Sequence, residues 1–254
     1  MGEPRRVVLA GDWHGDFRWA AAVIAMLPEL LPEESPRRLL QLGDFGFAPR
    51  GPHIQALAEE LSKVDGELWW VDGNHEYWNQ LTQPDLADDL ARRRTADRIW
   101  WLPRGHRWQW HGRTWLAAGG AISVDRALRT PGLDWFPDEE MTWAQAEAIA
   151  ADGPADVVVA HDCPDGVDLH LEPVPAYFGW AQGDLDRSAE HRATMAMLAV
   201  KVGAQWWMHG HYHLRHRSIV DLGAGLIEVT GLHMNHASGS YAILDVQAMQ
   251  WQPF

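Results

Sequence analysis

The sequence predicts an α/β fold in four layers, two facing mixed β-sheets flanked by α-helices, and three observations predict it. First, the short apolar runs RRVVLA, RLLQL, ELWWV, DVVVA and QWWM each stop abruptly at a polar cluster rich in Gly, Asp, His or Asn. Continuous apolar runs of that length read as buried strands. Second, stretches of helical character, Phe17 to Leu31 and His53 to Val64, separate the first three runs, the latter following Pro52, which suits a helix start. Strand, helix, strand implies right-handed crossovers and a largely parallel sheet. Third, Ile99 to Ala118 alternates apolar and polar residues as an antiparallel hairpin does, and Arg217 to Trp251 reads as further short strands between Gly-rich turns.

Length and composition bound the answer. With 254 residues, 46% of them hydrophobic, residues 1–254 are expected to form one domain with a sizeable core. No stretch reaches the roughly 20 apolar residues of a membrane span, and MGEPRRVVLAGDWHGD carries no secretory cleavage pattern, so a cytoplasmic, membrane-free protein is expected. Cys163 is the only cysteine, which excludes an intramolecular disulfide and chelation by paired thiolates. A metal here must be held by nitrogen and oxygen. The net charge of −14 opposes binding of long nucleic acid or anionic lipid, whose capture needs cationic groups. A small phosphate ester remains permitted, because bound divalent cations supply local positive charge.

In sheets of this kind ligands bind beyond the carboxyl ends of the strands, where each polar cluster falls, so the loops are expected to converge on one cleft. Asp12 and His14 stand two apart at the first strand end, where alternate side chains share a side and can grip one ion. Asp44, in LGDFG, offers two carboxylate oxygens and can bridge two cations. Asn74 in VDGNHEYW can supply a neutral amide oxygen, leaving His75 free to donate a proton. His161 ends DVVVAH, and His211 and His213 in HGHYH repeat the two-residue spacing of Asp12 and His14. Each piece alone also reads as a plain turn. A satisfied core or surface role is the reading for His53, His106, His111, His170, His191 and His216, while His233 and His236 lie in a Gly-rich turn that would border the cleft.

The ordered set GDxHG, GD, GNHE, a lone strand-end His and GHxH resembles the calcineurin-like metallophosphoesterase family from near residue 7 to near residue 213. The resemblance implies that Asp12, His14, Asp44 and His213 hold a first metal, and that Asp44, Asn74, His161 and His211 hold a second. It implies two divalent ions, with manganese expected and iron, zinc or nickel as family alternatives. His75 would protonate the leaving oxygen, and no protein nucleophile is needed.

The chain departs from the protein-phosphatase pattern GDxVDRG, reading GDFGFA at the second motif. Phe47 stands where an Asp orients the catalytic histidine, and Ala48 where an Arg grips phosphate. That speaks against phosphoprotein substrates and leaves Asp72, Asp162 or a backbone carbonyl to orient His75. Phosphate contacts are expected from Arg126 or Arg129 in SVDRALRTPG, with structural pairing equally open. Ser123 to Thr142 and Leu169 to Arg187 resist assignment and are candidate substrate flaps. Their Trp135, Phe136, Tyr177, Phe178 and Trp180 can stack on a base or simply cover the core. The expected substrate is a small phosphodiester, cyclic nucleotides included. A phosphomonoesterase or nucleotide pyrophosphatase is the rival enzyme. A non-catalytic scaffold is the rival from another class, but relatives of that kind lose ligands that are all present here.

Overall fold

The computed structural model describes residues 2–46, 52–81, 87–89, 92–169 and 179–252; Phe47, Ala48, His170, Tyr177 and Phe178 lie outside them. Strand β1 (Arg6–Ala10) is apolar on both faces because it is covered on both faces. Its Val7 and Leu9 enter one apolar layer, its Val8 and Ala10 another. Parallel pairing carries β1 to β2 (Arg37–Gln41), then β3 (Gly66–Trp70), then β6 (Ile99–Trp101). Antiparallel strands extend both edges, β4 (Ala87–Asp89) and β5 (Arg92–Ala96) beyond β6, and β13 (Tyr241–Asp245) and β14 (Gln250–Trp251) beside β1. This eight-stranded sheet faces one of six strands. There β8 (Arg113–Ala118), β9 (Val157–Ala160), β10 (Trp206–His209) and β12 (Leu226–Gly231) run parallel, edged antiparallel by β7 (Arg107–Trp110) and β11 (His216–Asp221).

Three apolar layers follow from the alternation. Outside the first sheet, helices α1 (Phe17–Ala25), α2 (Leu27–Leu30) and α3 (Pro52–Lys63) bring Val23, Ile24, Leu27, Leu57 and Leu61 against Val8, Leu39, Leu68 and Trp70. Between the sheets lie Leu9, Leu40, Val71, Trp115, Val157, Val159 and Met208. Outside the second sheet, α5 (Trp143–Ala151) and α6 (Gln182–Val202) pack Ile149, Met195 and Leu198 on Leu116, Val158 and Trp207. The four-layer sandwich expected from the sequence is the fold observed. A single turn, α4 (Trp78–Leu81), follows the β3 loop. No helix among the described residues is long and apolar enough to cross a membrane.

Local chemistry sets the boundaries. Asp16 starts α1 by accepting the backbone N–H groups of Arg18 (3.1 Å) and Trp19 (2.9 Å). The predicted stretch Phe17 to Leu31 breaks at Met26, because Pro28 has no N–H for a continuing helix and instead sits in the first turn of α2. The predicted hairpin is narrower than Ile99 to Ala118: only β7 and β8 form it. Ile99, Trp100 and Trp101 are all buried, so they join the first sheet beside β3, where both faces are covered. Residues Ser123 to Thr142 fold into two 3₁₀ turns, Arg126–Leu128 and Pro137–Glu139, and residues 182–187 of the other unassigned stretch open α6. The capping box of Thr142 and Gln145 then begins α5.

Trp115 is fully buried between the sheets, with the rings of Trp108 and Trp110 at 5.7 and 5.1 Å. Trp115→Ala is expected to cost about 3–5 kcal/mol. The readout is a lower urea midpoint with an unchanged slope; a loss below about 1 kcal/mol would show that the sheets close over the gap without this ring.

Candidate metal centre

Five polar loops leave the carboxyl ends of β1, β2, β3, β9 and β10, all strands of the parallel cores, and meet at one end of the sandwich. Asp12 and Asp44 sit at the bottom, 0% and 1% exposed. Around them three groups gather nitrogen and oxygen donors within 4.8 Å of one another: Asp12, His14 and His213; His14, Asp44 and His75; Asp12, Asp44 and His161. Asp44 faces both ways, its Oδ2 lying 3.3 Å from His14 Nε2 and its Oδ1 3.2 Å from His161 Nε2. Asp12 Oδ2 is 3.1 Å from His213 Nε2 and 3.9 Å from His14 Nε2. Asn74 directs its amide oxygen at His161 Nε2, 3.2 Å away. The His211 ring stands 5.1 Å from that of His161, and its backbone N–H donates to the Asp12 carboxylate.

Burial and neighbouring charge act differently on the two buried imidazoles. His161 Nδ1 lies 2.7 Å from the Leu42 carbonyl, to which it donates, so Nε2 turns toward the carboxylates. Burial works against a charge on His161, yet Asp44 and Asp12 outweigh it and push its pKa up to about 10. His211 is pushed down to about 4, chiefly by burial, and stays neutral with a lone pair to offer. Burial also disfavours ionised Asp12 and Asp44, but the neighbouring histidines overcome it and hold both below the usual carboxylate range. Two buried carboxylates ringed by imidazoles fit a divalent cation, and the donor set is the nitrogen and oxygen that hard and intermediate metals take. Cys163 is buried with its thiol pushed up, chiefly by burial, and plays no part in the three groups.

The backbone is bent to achieve this. His14, Asp44, His211 and His213 all have left-handed φ, between 46° and 66°, a region costing non-glycine residues on the order of 1 kcal/mol or more each. Close approach demands glycine at two neighbours: a Cβ on Gly73 would lie 2.2 Å from Asp44 Oδ1, and one on Gly210 would lie 2.1 Å from Asp12 Oδ1. Glu76 ties the second and third loops, accepting from Phe45 N (2.9 Å) and Gly73 N (3.3 Å). Gln41 does the same for the first two, donating to the Gly11 carbonyl and accepting from Gly43 N.

The two arginines part company. Arg129 places Nη2 2.8 Å from His75 Nε2 while its Nε pairs with Asp125 at 2.8 Å. Arg126 is instead taken up by buried Asp184 (2.8 Å) and lies over the Trp135 ring. Neither carboxylate considered for orienting His75 does so. Asp72 binds Trp101 Nε1 and Arg104 Nε, and Asp162 binds His191 Nδ1 and the Tyr212 hydroxyl. His75 is set by its own N–H, which donates to Asp44 Oδ1 at 2.8 Å, with Arg129 at its ring. Phe136 is buried against Tyr77 and Trp135 Nε1 donates to Glu139, so these two rings serve the loop interior; Trp180 is half-buried. His236 bonds Asp16 and packs on Trp19, and His233 Nδ1 accepts the Met234 N–H; neither joins the three donor groups. Glu76 stood in the GNHE motif without an assigned task, whereas Gln41 and Ser123, which accepts from Asn74 Nδ2 at 3.1 Å, carry no local signal in the sequence.

The sequence profile of the calcineurin-like phosphoesterases matches residues 5–215. The chain belongs to that family. As a calcineurin-like phosphoesterase it is a metal-dependent hydrolase of phosphate esters, and its candidate ligand groups lie where the five loops meet. One solved structure, 14% identical, superposes with a TM-score of 0.58 over 98% of each chain. Another, the phosphopantetheinyl hydrolase of Mycobacterium tuberculosis, is 14% identical with a TM-score of 0.52, covering 95% of this chain and 96% of that one. Both show a shared fold. No curated protein matches the sequence at a significant level.

Gly73→Ala is expected to leave the circular dichroism spectrum unchanged while pushing Asp44 aside and weakening metal uptake by at least about 10-fold. Normal uptake by this variant would show that Asp44 does not need its present position to bind metal.

Proposed function

We propose that this phosphoesterase carries a dinuclear centre and hydrolyses small phosphodiesters, cyclic nucleotides among them. The observation behind the dinuclear reading is the two-way placement of Asp44, one oxygen toward His14 and the other toward His161. A carboxylate so placed suits a bridge between two cations about 3.5–4 Å apart. On this reading Asp12, His14, Asp44 and His213 hold one ion, and Asp44, Asn74, His161 and His211 the other, with manganese as the activating metal. Such ions would polarise the phosphoryl oxygens and make water acidic enough to attack near neutral pH.

His75 is the proposed proton donor to the leaving oxygen. Burial first, then the positive charge of Arg129, hold its pKa below the ordinary value, against an opposing pull from Asp44. In the free protein an Arg129 N–H points at His75 Nε2, which can only accept from it. A substrate phosphate that draws Arg129 onto its own oxygens frees Nε2 and adds negative charge beside it, and both changes favour the protonated ring. Support for a diester comes from the same arginine. Arg126 is committed to Asp184, so among the described residues Arg129 is the guanidinium bonded to His75. One guanidinium suits a singly charged diester better than a doubly charged monoester, which a two-arginine clamp would serve.

Turnover of bis-p-nitrophenyl phosphate, p-nitrophenyl phosphate, cyclic nucleotides, dinucleoside polyphosphates and a phosphopantetheinyl ester should be compared with Mn²⁺ present. Diesters are expected to lead; faster monoester or pyrophosphate cleavage would replace this reading by its rival, and no metal-dependent turnover of any would sink it. His75→Ala is expected to lower kcat by about 10²–10⁴-fold with metal still bound. Asp44→Asn is expected to weaken both ions together, and full occupancy by both would refute the bridge.

A further inference from the structure

An asparagine amide presents oxygen and nitrogen in almost the same shape, and only the oxygen can ligate a cation. Something must therefore choose the orientation of Asn74. Its Nδ2 donates to Ser123 Oγ at 3.1 Å, which leaves Oδ1 turned toward His161 Nε2 at 3.2 Å. A hydroxyl that accepts from an amide must pass its own proton to another acceptor. The Glu139 carboxylate is the acceptor at hand: its Oε1 takes the Ser123 N–H and the Trp135 indole N–H, both at 2.9 Å, and the Ser123 side chain lies close enough to favour its charged form.

Glu139 is an expensive residue to keep here. It is 2% exposed, and burial pushes its carboxyl up to about 7 despite the hydrogen bonds from Ser123. Its Oε2 is buried with no hydrogen-bond partner among the described residues. Its carbonyl is pinned by Arg104 Nη2 (2.9 Å) and Ala121 N (3.1 Å), so the Pro137–Glu139 turn cannot drift from the strand ends. Leu or Met would pack there without the desolvation cost. We infer that Ser123 and Glu139 are positioning residues that fix the Asn74 amide with its oxygen toward the metal centre, tying the 123–142 loop to metal affinity.

The inference rests on the reading of Asn74 as a ligand, and the test separates the two. Metal-free protein is titrated calorimetrically with Mn²⁺ in wild type, Asn74→Ala, Ser123→Ala, Ser123→Thr and Glu139→Gln, each checked for folding by circular dichroism. Ser123→Ala and Glu139→Gln are expected to weaken one Mn²⁺ equivalent about 10-fold, as losing a partner of a ligand does. Ser123→Thr, which keeps the hydroxyl, should stay near wild type. Turnover of the two weakened variants should fall at limiting Mn²⁺ and recover at saturating Mn²⁺, which general damage to the fold would not allow. Wild-type affinity in Ser123→Ala and Glu139→Gln, with Asn74→Ala weakened, would overturn the inference alone. A Thr variant as weak as the Ala variant would also overturn it, since the hydroxyl would then not matter. Wild-type affinity in Asn74→Ala would remove the ligand reading and the inference with it.

Discussion

Two carboxylates, Asp12 and Asp44, are buried side by side where the sheets of the sandwich open, and the local structure answers the cost of keeping them there. Burial and mutual repulsion both oppose their charge. Donors compensate from every direction: the N–H of His211 on Asp12, the N–H of His75 on Asp44, and imidazoles of His14, His161 and His213 on their oxygens. Four of the residues that converge there carry left-handed backbone, and two glycines admit carboxylate oxygens where a methyl group would collide. The left-handed backbone and the close approaches do not themselves aid folding. The apolar layers supply the stability against which the strain is held.

The sandwich is also what completes the donor set. The eight-stranded sheet delivers Asp12, His14, Asp44, Asn74 and His75, whereas the six-stranded sheet delivers His161, His211 and His213. Neither sheet holds both carboxylates and all five histidines. Face-to-face sheets stand about 10 Å apart, and the layer of Leu9, Val71, Trp115, Val159 and Met208 between them sets that separation. The loops need then reach only a few ångströms from each side. Parallel pairing matters for the same reason, since it puts the carboxyl ends of β1, β2 and β3 at one end and those of β9 and β10 opposite them.

What the sequence made legible was whatever is written locally. Unbroken apolar runs announced buried strands, and the abrupt polar cluster after each announced a loop at a strand end, so Asp12, Asp44, Asn74, His161 and His211 could be named without coordinates. Harder were choices decided by distant partners. Ile99 to Trp101 lie near β7 in sequence yet belong to the other sheet, because they need cover on two faces. Arg126 and Arg129 look alike in SVDRALRTPG, and only Asp184, 58 residues beyond Arg126 in the numbering, removes one of them from the cleft. Ser123 reaches Asn74 across 49 residues, Glu139 bonds Ser123, and neither has a motif of its own.

The departure GDFGFA has a structural counterpart. With no carboxylate from Asp72 or Asp162 at its ring, His75 is placed by the bond from its N–H to Asp44 Oδ1. The residue proposed to join the cations therefore also fixes the loop that carries the proposed proton donor. On that proposal metal binding and proton delivery share one carboxylate, and a change at Asp44 is expected to disturb both. The His75 ring meets Arg129 and lies 3.8 Å from Asp44 Oδ2, and it belongs to the donor group of His14 and Asp44 but not to those of Asp12 with His213 or His161. The centre thus has a floor of buried carboxylates and a wall that includes Arg129, and on the proposed reading that wall, with the 123–142 loop, is where substrate preference would be set.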